Sequence, residues 1–322
     1  MTTYGWIGLG NMGGPMTANL VAAGHTVRGF DLDAGAAAEA AARGVDIVGS
    51  IAETVAGADV VFTMLPKGEH VRAVYGGEDG IWATADTRAL LVDSSTVDIE
   101  TSQHCHDTSA ARGFRFVDAP VSGGVSGAET ATLAFMVGGS PEASEEAVGH
   151  IEPMAGRTIV AGGETTGIAA KICNNMMLFI NLMAASEGSQ LADRLGLDPQ
   201  VFWEIASVSS GHSWAQQTWY PMPGIVDSAA SNRNYDATFR ADLARKDVTL
   251  ALDAGVLTGV SLEAARLAQR QFDRLIDEGL ADKDCSLIVK YASPDGGAPG
   301  WTGAGSASAE RTLSAAEMKE VR

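Results

Sequence analysis

The sequence predicts an α/β domain with a mostly parallel, doubly wound sheet, followed by an all-α domain built on one long helix. Short β-rich segments alternate with helix-compatible segments from residue 4 to about residue 160, which is typical of βαβ units with right-handed crossovers. Residues 168–195 then contain no proline and one interior glycine, which predicts a helix of about seven turns. This change, near residues 162–167, marks a domain boundary.

The individual elements follow from the positions of the apolar segments and their flanking turns. Strands are predicted at residues 4–9, 26–30, 46–48, 60–64, 89–92, 115–117, 132–137 and 158–160, and further helices at 199–207, 241–254 and 262–278. We predict one domain over 1–165 and a helical domain over 166–291. Residues 292–322 are rich in serine, alanine and glycine and are expected to form a flexible tail.

A dinucleotide-binding motif follows the first predicted strand. Residues 8–13 read Gly-Leu-Gly-Asn-Met-Gly, and a helix-compatible stretch comes next. In this pattern Gly8 permits a tight turn, Gly10 lets a pyrophosphate approach the backbone, and Gly13 lets the helix pack closely on the strand. We therefore interpret the first domain as a Rossmann-type domain that binds a nicotinamide dinucleotide.

An acidic residue at the end of the second strand bears on the choice of cofactor. Asp31 is placed to accept hydrogen bonds from the adenosine ribose hydroxyls and to repel a 2′-phosphate, which favours NAD over NADP. Arg28 lies on the preceding strand and Arg43 is distant from the motif, so neither is expected to favour NADP.

Composition and charge exclude several classes of function. At 322 residues, with 46% apolar residues, the chain can form two domains with cores of their own. The formal net charge of −18 repels phosphate backbones and anionic lipid surfaces, so we expect no nucleic-acid or membrane partner. The longest nearly uninterrupted apolar stretch, residues 176–185, is short of the ~20 residues that span a bilayer. We recognise no targeting peptide, and three scattered cysteines are typical of free thiols in the cytoplasm.

Three motifs follow predicted strands, at the edge of the sheet where ligands bind in open parallel folds. The first is Met64-Leu65-Pro66, the second is the Asp-Ser-Ser-Thr segment that ends in Thr96, and the third is residues 118–124. In the third, Ser122-Gly123-Gly124 offers a hydroxyl and open backbone N–H groups to a small carboxylate. Taken alone, the second also fits a helix N-cap and the third fits a plain turn.

Lys171 and Asn175 are the most specific candidates for chemistry. They lie four residues apart on the predicted long helix, so their side chains project from one face about one turn apart. If Lys171 faces a cleft, burial lowers its pKa and makes it a proton donor or acceptor. The alternative is a surface lysine whose stem covers apolar residues while its ammonium group reaches water.

Other polar and aromatic residues carry weaker signals. Trp214 and Phe239 belong to an aromatic-rich loop that can close over a substrate, although such residues are more often packing anchors. Lys246 and Asp247 fit ordinary surface charges. His104 and His106 flank a cysteine but point nearly opposite ways on a helix, so we expect no metal site. No Tyr-x-x-x-Lys motif occurs, which leaves lysine as the leading acid/base candidate.

Taken in order, these motifs resemble those of the β-hydroxyacid dehydrogenase family, over roughly residues 3–290. The resemblance includes the glycine motif, Met64-Leu65-Pro66, the segment ending in Thr96, residues 118–124, Lys171 to Asn175, and Lys246-Asp247. Residues 207–214 and 220–224 are most similar to the members that act on 3-hydroxyisobutyrate.

The resemblance implies roles for the matching residues. Lys171 would be the catalytic acid/base, and the substrate would be held by Ser122, Gly123, Gly124, Asn175, Trp214, Phe239 and Asp247. Together with the motif analysis, it gives a cofactor site of Gly8, Gly10, Asn11, Met12, Gly13, Asp31, Met64, Leu65, Pro66, Thr96 and Lys246.

The resemblance also implies a reaction, the oxidation of 3-hydroxyisobutyrate to methylmalonate semialdehyde with NAD, a step of valine breakdown. A related reductase of tartronate semialdehyde, glyoxylate or succinic semialdehyde would use the same lysine. A non-catalytic dinucleotide-binding protein is an alternative of another class, against which the intact Lys171, Asn175 and Ser122 argue. An imine reductase is disfavoured, since such relatives generally replace the lysine.

Two positions depart from the family pattern. The family commonly has Gly-x-Gly just before the lysine helix, where this chain has Thr165-Thr166-Gly167, and a glycine where this chain has Ala131. We expect changes of loop geometry there without an effect on the chemistry. The long helix has a broader apolar surface than one domain edge can cover, which predicts a homodimer or homotetramer.

Overall fold

A computed structural model describes residues 1–303 of the chain. Within these residues the strands are β1 (Thr3–Ile7), β2 (Thr26–Phe30), β3 (Asp46–Ile47), β4 (Val60–Thr63), β5 (Leu90–Asp93), β6 (Arg115–Asp118), β7 (Val121–Ser122), β8 (Leu133–Gly139) and β9 (Ala155–Gly162). The helices are α1 (Gly13–Ala22), α2 (Ala34–Ala42), α3 (Ile51–Val55), α4 (Gly68–Gly76), α5 (Ile81–Thr84), α6 (Ile99–Ala111), α7 (Gly124–Glu129), α8 (Pro141–Ile151), α9 (Thr166–Arg194), α10 (Pro199–Val208), α11 (Trp214–Thr218), α12 (Ala241–Thr258) and α13 (Glu263–Asp277), with short 3-10 helices at Glu152–Met154, Ala230–Arg233 and Cys285–Tyr291.

The strands form one sheet in the order β3-β2-β1-β4-β5-β6-β8-β7, with β9 paired to β8. The first six strands of that order run parallel, and β8 runs antiparallel to β6 and β7. The order reverses at β1 and β4, so the crevice at their carboxyl ends is the expected place for a ligand. The predicted fold class is confirmed: a parallel-dominated α/β domain is followed by helices that include one long one.

Alternate residues of the central strands are buried on opposite faces of the sheet. Val60 and Phe62 lie in one apolar cluster, whereas Val61 lies in the other. This period of two is the geometry of a strand, and helices on both faces explain why every residue of β4 and β5 is buried.

The chain divides into two compact units, each with its own core. The first comprises Met1–Met176 together with Leu250–Ser261, and the second comprises Met177–Thr249 with residues 262–303 of the described chain. In the second unit, Phe179 is fully buried and its ring lies 5.4 Å from that of Phe272. By length and composition alone α9 could cross a membrane, but Phe179 and Leu182 of that helix are buried as in the core helix of a folded domain.

Two segments differ in detail from the predicted elements. β7 was not predicted, because it is two residues long and lies in a segment with a proline before it and glycines after it. Residues 292–303, assigned to the tail, make contacts: Tyr235 Oη donates to the Pro299 carbonyl at 2.9 Å and the Thr302 N–H donates to Asn234 Oδ1 at 2.8 Å. The rest of the predicted tail lies outside the described residues.

Candidate active site

The loop between β1 and α1 packs closely against itself and against the end of β2. Gly8 adopts a φ of +96°, which favours glycine, and its N–H donates to the Phe30 carbonyl at 3.0 Å. A Cβ on Gly13 would lie 1.9 Å from the Gly8 carbonyl oxygen, so only glycine lets α1 start this close to the strand. A Cβ on Gly10 would meet nothing within 4 Å, so this part of the loop faces open space.

A cleft of about 940 Å³ lies beside this loop, at the carboxyl ends of the strands. Most of the predicted cofactor residues line it, namely Gly8, Gly10, Asn11, Asp31, Met64, Leu65 and Pro66. Met12, Gly13 and Thr96 are not among the lining residues. The open face at Gly10, the start of α1 and the carboxylate of Asp31 fit the pyrophosphate and adenosine ribose of a dinucleotide.

Asp31 is held in place at the end of β2 by the backbone of the neighbouring turns. Its Oδ2 accepts the Leu9 N–H at 2.6 Å, and its Oδ1 accepts the Asp33 N–H at 2.8 Å. The expectation that Arg43 lies far from this site is wrong, because Arg43 lines the same cleft. Arg43 is the C-cap residue of α2, and Glu39 and Ala40 of the same helix line the cleft with it. Arg28, in contrast, donates to the carbonyls of Glu53 and Ala56.

A chain of hydrogen bonds fixes the loop that follows β4. The Leu65 N–H donates to Ser95 Oγ at 2.8 Å, and Ser95 Oγ donates to Asp93 Oδ1 at 2.6 Å. Thr63 Oγ1 donates to the same carboxylate oxygen at 2.7 Å. Burial raises the pKa of Asp93, while the hydrogen bonds from Ser95 and Thr63 lower it. The Asp-Ser-Ser-Thr segment therefore fixes the backbone of Leu65, which lines the cleft.

Lys171 and Asn175 lie one turn apart in the first unit, on the second and third turns of α9. Lys171 is only 7% exposed and Asn175 only 1% exposed, so the alternative of a lysine that reaches bulk water is wrong. Asn175 Oδ1 accepts a hydrogen bond from Asn174 Nδ2 at 3.1 Å, which orients its amide. A buried amine beside a buried amide is suited to holding a hydroxyl group and moving its proton.

The start of α9 is attached to the end of β6 through Asp118. Its Oδ1 accepts the Thr165 N–H at 3.0 Å and its Oδ2 accepts the Ile168 N–H at 2.7 Å. His106 Nε2 lies 2.7 Å from Oδ1, and both side chains are buried. The sequence does not predict this pair. Asp118 belongs to the motif at residues 118–124, but nothing in the sequence links it to a histidine on α6.

The Ser122-Gly123-Gly124 segment joins β7 to α7. Ser122 is half-buried, and Gly123 and Gly124 are exposed with φ angles of +136° and +65°. Ser122 belongs to β7 and Gly124 begins α7, so Gly123 alone connects the strand to the helix.

The two departures from the family pattern keep glycine-like backbone angles. Thr165 has a φ of +64° and Ala131 a φ of +54°, both in the left-handed region. Both positions therefore hold a backbone angle that favours glycine, although neither residue is a glycine.

The remaining predicted site residues belong to the second unit. Trp214 is half exposed and its ring lies 5.1 Å from that of Trp219, while Phe239 packs 5.6 Å from Phe179. Asp247 is buried, and Lys246 Nζ lies 3.3 Å from Asp247 Oδ1.

The residues considered for metal binding are engaged elsewhere. His104 packs edge-on against Trp82, and Cys105 is buried in the core. Cys105, Cys173 and Cys285 are all free thiols. Within residues 1–303, no group of three or more histidine, cysteine or acidic side chains is arranged to hold a metal ion.

Comparison with known proteins gives matches over both parts of the chain. Residues 3–163 match the NAD-binding domain of 6-phosphogluconate dehydrogenase, and residues 165–292 match the family described as NAD-binding of NADP-dependent 3-hydroxyisobutyrate dehydrogenase. A probable 3-hydroxyisobutyrate dehydrogenase of Mycobacterium tuberculosis is 46% identical over 289 residues, which cover 90% of this chain and 97% of the relative.

This chain belongs to the 3-hydroxyisobutyrate dehydrogenase family. It is therefore an oxidoreductase that uses a nicotinamide dinucleotide. An NAD-dependent L-serine dehydrogenase of Pseudomonas aeruginosa is 37% identical to this protein. The match covers 92% of this chain and 100% of the relative. The solved structure of Mycobacterium tuberculosis 3-hydroxyisobutyrate dehydrogenase with L-serine matches with a TM-score of 0.83 and 43% identity, over 90% of this chain and 99% of that one.

Proposed function

We propose that this enzyme oxidises 3-hydroxyisobutyrate to methylmalonate semialdehyde with NAD, as a step of valine breakdown. The observation that carries the proposal is the buried pair Lys171 and Asn175, on a helix whose start is bonded to the end of β6. The same strand leads, through Ala119 and Pro120, to the Ser122-Gly123-Gly124 segment. Both halves of a hydroxyacid site are thus connected to one strand end.

Each residue of this site has a defined task. Ser122 and the backbone of Gly123 and Gly124 would bind the substrate carboxylate, and Asn175 would hold the hydroxyl group. Lys171 would take the hydroxyl proton, for which its amine must be neutral when the substrate binds. When bound, the nicotinamide supplies the acceptor for the hydride that leaves the carbinol carbon.

L-serine is the second candidate substrate. It shares with 3-hydroxyisobutyrate a carboxylate and a primary hydroxyl on the carbon two bonds away, and it differs in carrying an ammonium group in place of a methyl group. A relative is named as an L-serine dehydrogenase, and another was solved with L-serine. The proposed lysine, asparagine and Ser122 would act alike on either compound.

Turnover of a substrate panel tests the proposal. NADH or NADPH formation would be measured with 3-hydroxyisobutyrate, L-serine, glycerate, 3-hydroxypropionate and 4-hydroxybutyrate, each with NAD and NADP. We expect the highest kcat/KM for 3-hydroxyisobutyrate with NAD. A preference for glycerate would indicate the tartronate semialdehyde reductase branch, and no turnover with any pair would indicate a non-catalytic binding protein.

The preference for NAD is proposed to depend on the charge of Asp31. Asp31→Asn keeps an acceptor for the Leu9 N–H but removes the charge, and like charges about 4 Å apart repel by about 1–4 kcal/mol. We expect the ratio of kcat/KM for NADP to that for NAD to rise about tenfold or more.

Two further variants sharpen this prediction. Arg43→Ala in the Asp31→Asn background should reverse part of the gain, because Arg43 lines the cleft and can attract a 2′-phosphate. Asp46→Asn, an exposed carboxylate at the start of β3, is the matched control and should leave the ratio unchanged. An unchanged ratio in Asp31→Asn would contradict the assignment.

We also propose that the enzyme works in the cytoplasm as a homodimer or homotetramer. Large apolar side chains are exposed on α9 and α10, including Met177 and Leu191 on the former and Val201, Ile205 and Val208 on the latter. Sedimentation of a single 33.3 kDa species would contradict the assembly.

A further inference from the structure

We propose that Asp118, supported by His106, is a positioning residue that sets the place of Lys171 relative to the carboxylate-binding segment. The inference rests on the proposed function, since it assigns Asp118 to the lysine and serine of that site. Asp118 itself would touch neither substrate nor cofactor in this role. It would act through the backbone of α9.

The first argument is the bonding of the helix start. Both carboxylate oxygens of Asp118 accept backbone N–H groups, from Thr165 just before α9 and from Ile168 in its first turn. Lys171 follows Ile168 by three residues, so the two share one turn of helix and move together. A carboxylate at this end of a helix is also favoured by the helix dipole.

The second argument is steric. A Cβ on Gly167 would lie 2.4 Å from the Met136 carbonyl oxygen and 2.6 Å from that of Asp118. The first turn of α9 therefore packs directly on the backbone of β6 and β8. Thr165 holds a left-handed φ that costs a non-glycine residue about 1–2 kcal/mol, and such a conformation persists only where its surroundings enforce it.

The third argument is the support of Asp118 itself. His106 is 4% exposed and Asp118 is 1% exposed, and His106 Nε2 lies 2.7 Å from Oδ1. The Thr165 N–H that donates to Asp118 Oδ1 also lies 3.4 Å from His106 Nε2, so the histidine, the carboxylate and the backbone just before α9 meet at one point. The His106 ring is in turn packed edge-on against Phe116, with 4.7 Å between ring centroids.

The fourth argument is continuity with the other half of the site. Asp118 is the last residue of β6, and the next N–H, that of Ala119, donates to the Asp93 carbonyl at 2.8 Å. Three residues further on is Ser122. One buried residue is thus bonded to the lysine helix on one side and is covalently continuous with the proposed carboxylate-binding segment on the other.

Four variants test the proposal in the full-length enzyme. Asp118→Asn and His106→Leu weaken the connection, whereas His106→Gln keeps a polar side chain that can hydrogen-bond to Asp118. Ser140→Ala removes a hydrogen bond of similar type at the start of α8, to the Ala143 N–H, and is the control for helix capping in general. The readouts are kcat and KM, hydrogen exchange of the peptide that spans 165–171, and the rate at which acetic anhydride acylates Lys171.

We expect kcat to fall at least tenfold in Asp118→Asn and in His106→Leu, with the KM for NAD within about twofold of wild type. In Asp118→Asn and His106→Leu, backbone hydrogen exchange over residues 165–171 should be faster than in the wild type. The rate at which acetic anhydride acylates Lys171 should also differ from the wild-type rate in these two variants. His106→Gln should restore kcat to within about threefold of wild type. Ser140→Ala should alter none of the three readouts, although it lowers the free energy of unfolding by about 1 kcal/mol.

The outcomes separate the two proposals. Unchanged kcat in both weakened variants, or an equal loss in His106→Gln and His106→Leu, would overturn the positioning role. If Asp118→Asn fails to fold, the two His106 variants decide between these results. A wild type without turnover on the whole panel would overturn the proposed function, while exchange and acylation would still decide whether Asp118 places Lys171.

Discussion

Lys171→Ala is expected to lower kcat on 3-hydroxyisobutyrate by about 10²–10⁴-fold, the usual contribution of a positioned general base. The side chain is buried in the first unit and carries the amine that would accept the hydroxyl proton. The KM for NAD should change little, because the predicted cofactor cleft is lined by other residues. Steady-state rates of NADH formation measure both quantities.

Two companion variants separate loss of the base from damage to the helix. Cys173→Ala changes an exposed residue on the same turn of α9 and should retain wild-type kcat. Lys171→Arg introduces a guanidinium that does not lose its proton in proteins and so cannot take the hydroxyl proton, and it should be nearly as inactive as the alanine variant. A Lys171→Ala enzyme with more than about a tenth of the wild-type kcat would refute the assignment of the base.

Gly13→Ala is expected to destabilise the first unit by about 1–3 kcal/mol or more, the range for overpacking a close contact. Its Cβ would stand 1.9 Å from the Gly8 carbonyl oxygen and 2.8 Å from Trp6 Nε1, and the Gly8 carbonyl also accepts a hydrogen bond from the Trp6 indole N–H. Relief requires α1 to move away from β1. Urea unfolding of the apoenzyme gives the change in the free energy of unfolding.

Gly10→Ala is the matched variant in the same loop. Its Cβ meets nothing within 4 Å, so the apoenzyme should unfold at the wild-type urea concentration. The new methyl group would stand in the open part of the loop, where a pyrophosphate is expected, so NADH should bind at least tenfold more weakly in a fluorescence titration. Equal loss of stability in both variants would show that the close contact at Gly13 is not the cause of the destabilisation.

The alternation of apolar segments was sufficient to predict the sheet, because central parallel strands buried on both faces are recognisable as short apolar runs. The segment 26–30 was predicted with its observed bounds, and α9 begins two residues before its predicted start. β7 escaped prediction because two residues have no periodicity. Its existence depends on β8, a strand more than ten residues further along the chain.

Sequence motifs predicted the parts of the site that one continuous segment forms, as in residues 8–13. They did not predict contacts between residues that are far apart in the sequence. His106 on α6 contacts Asp118 on the strand that follows, and Arg43 lines the cleft from the C-terminal end of α2. Thr165 and Ala131 show the reverse case, since the sequence departs from the family pattern at positions where the backbone angle is one that favours glycine.

The first unit is made from two separated stretches of chain, and this has a consequence for its biosynthesis. Ala251 is buried in the same apolar cluster as Ile168 and Ile172, with Leu250 and Ala254 packed against that cluster. A growing chain that has reached Met176 thus lacks part of this core until Leu250–Ser261 has left the ribosome. Nascent chains stalled within residues 177–249 should therefore expose apolar surface and recruit chaperones, and a fragment cut at residue 165 should aggregate.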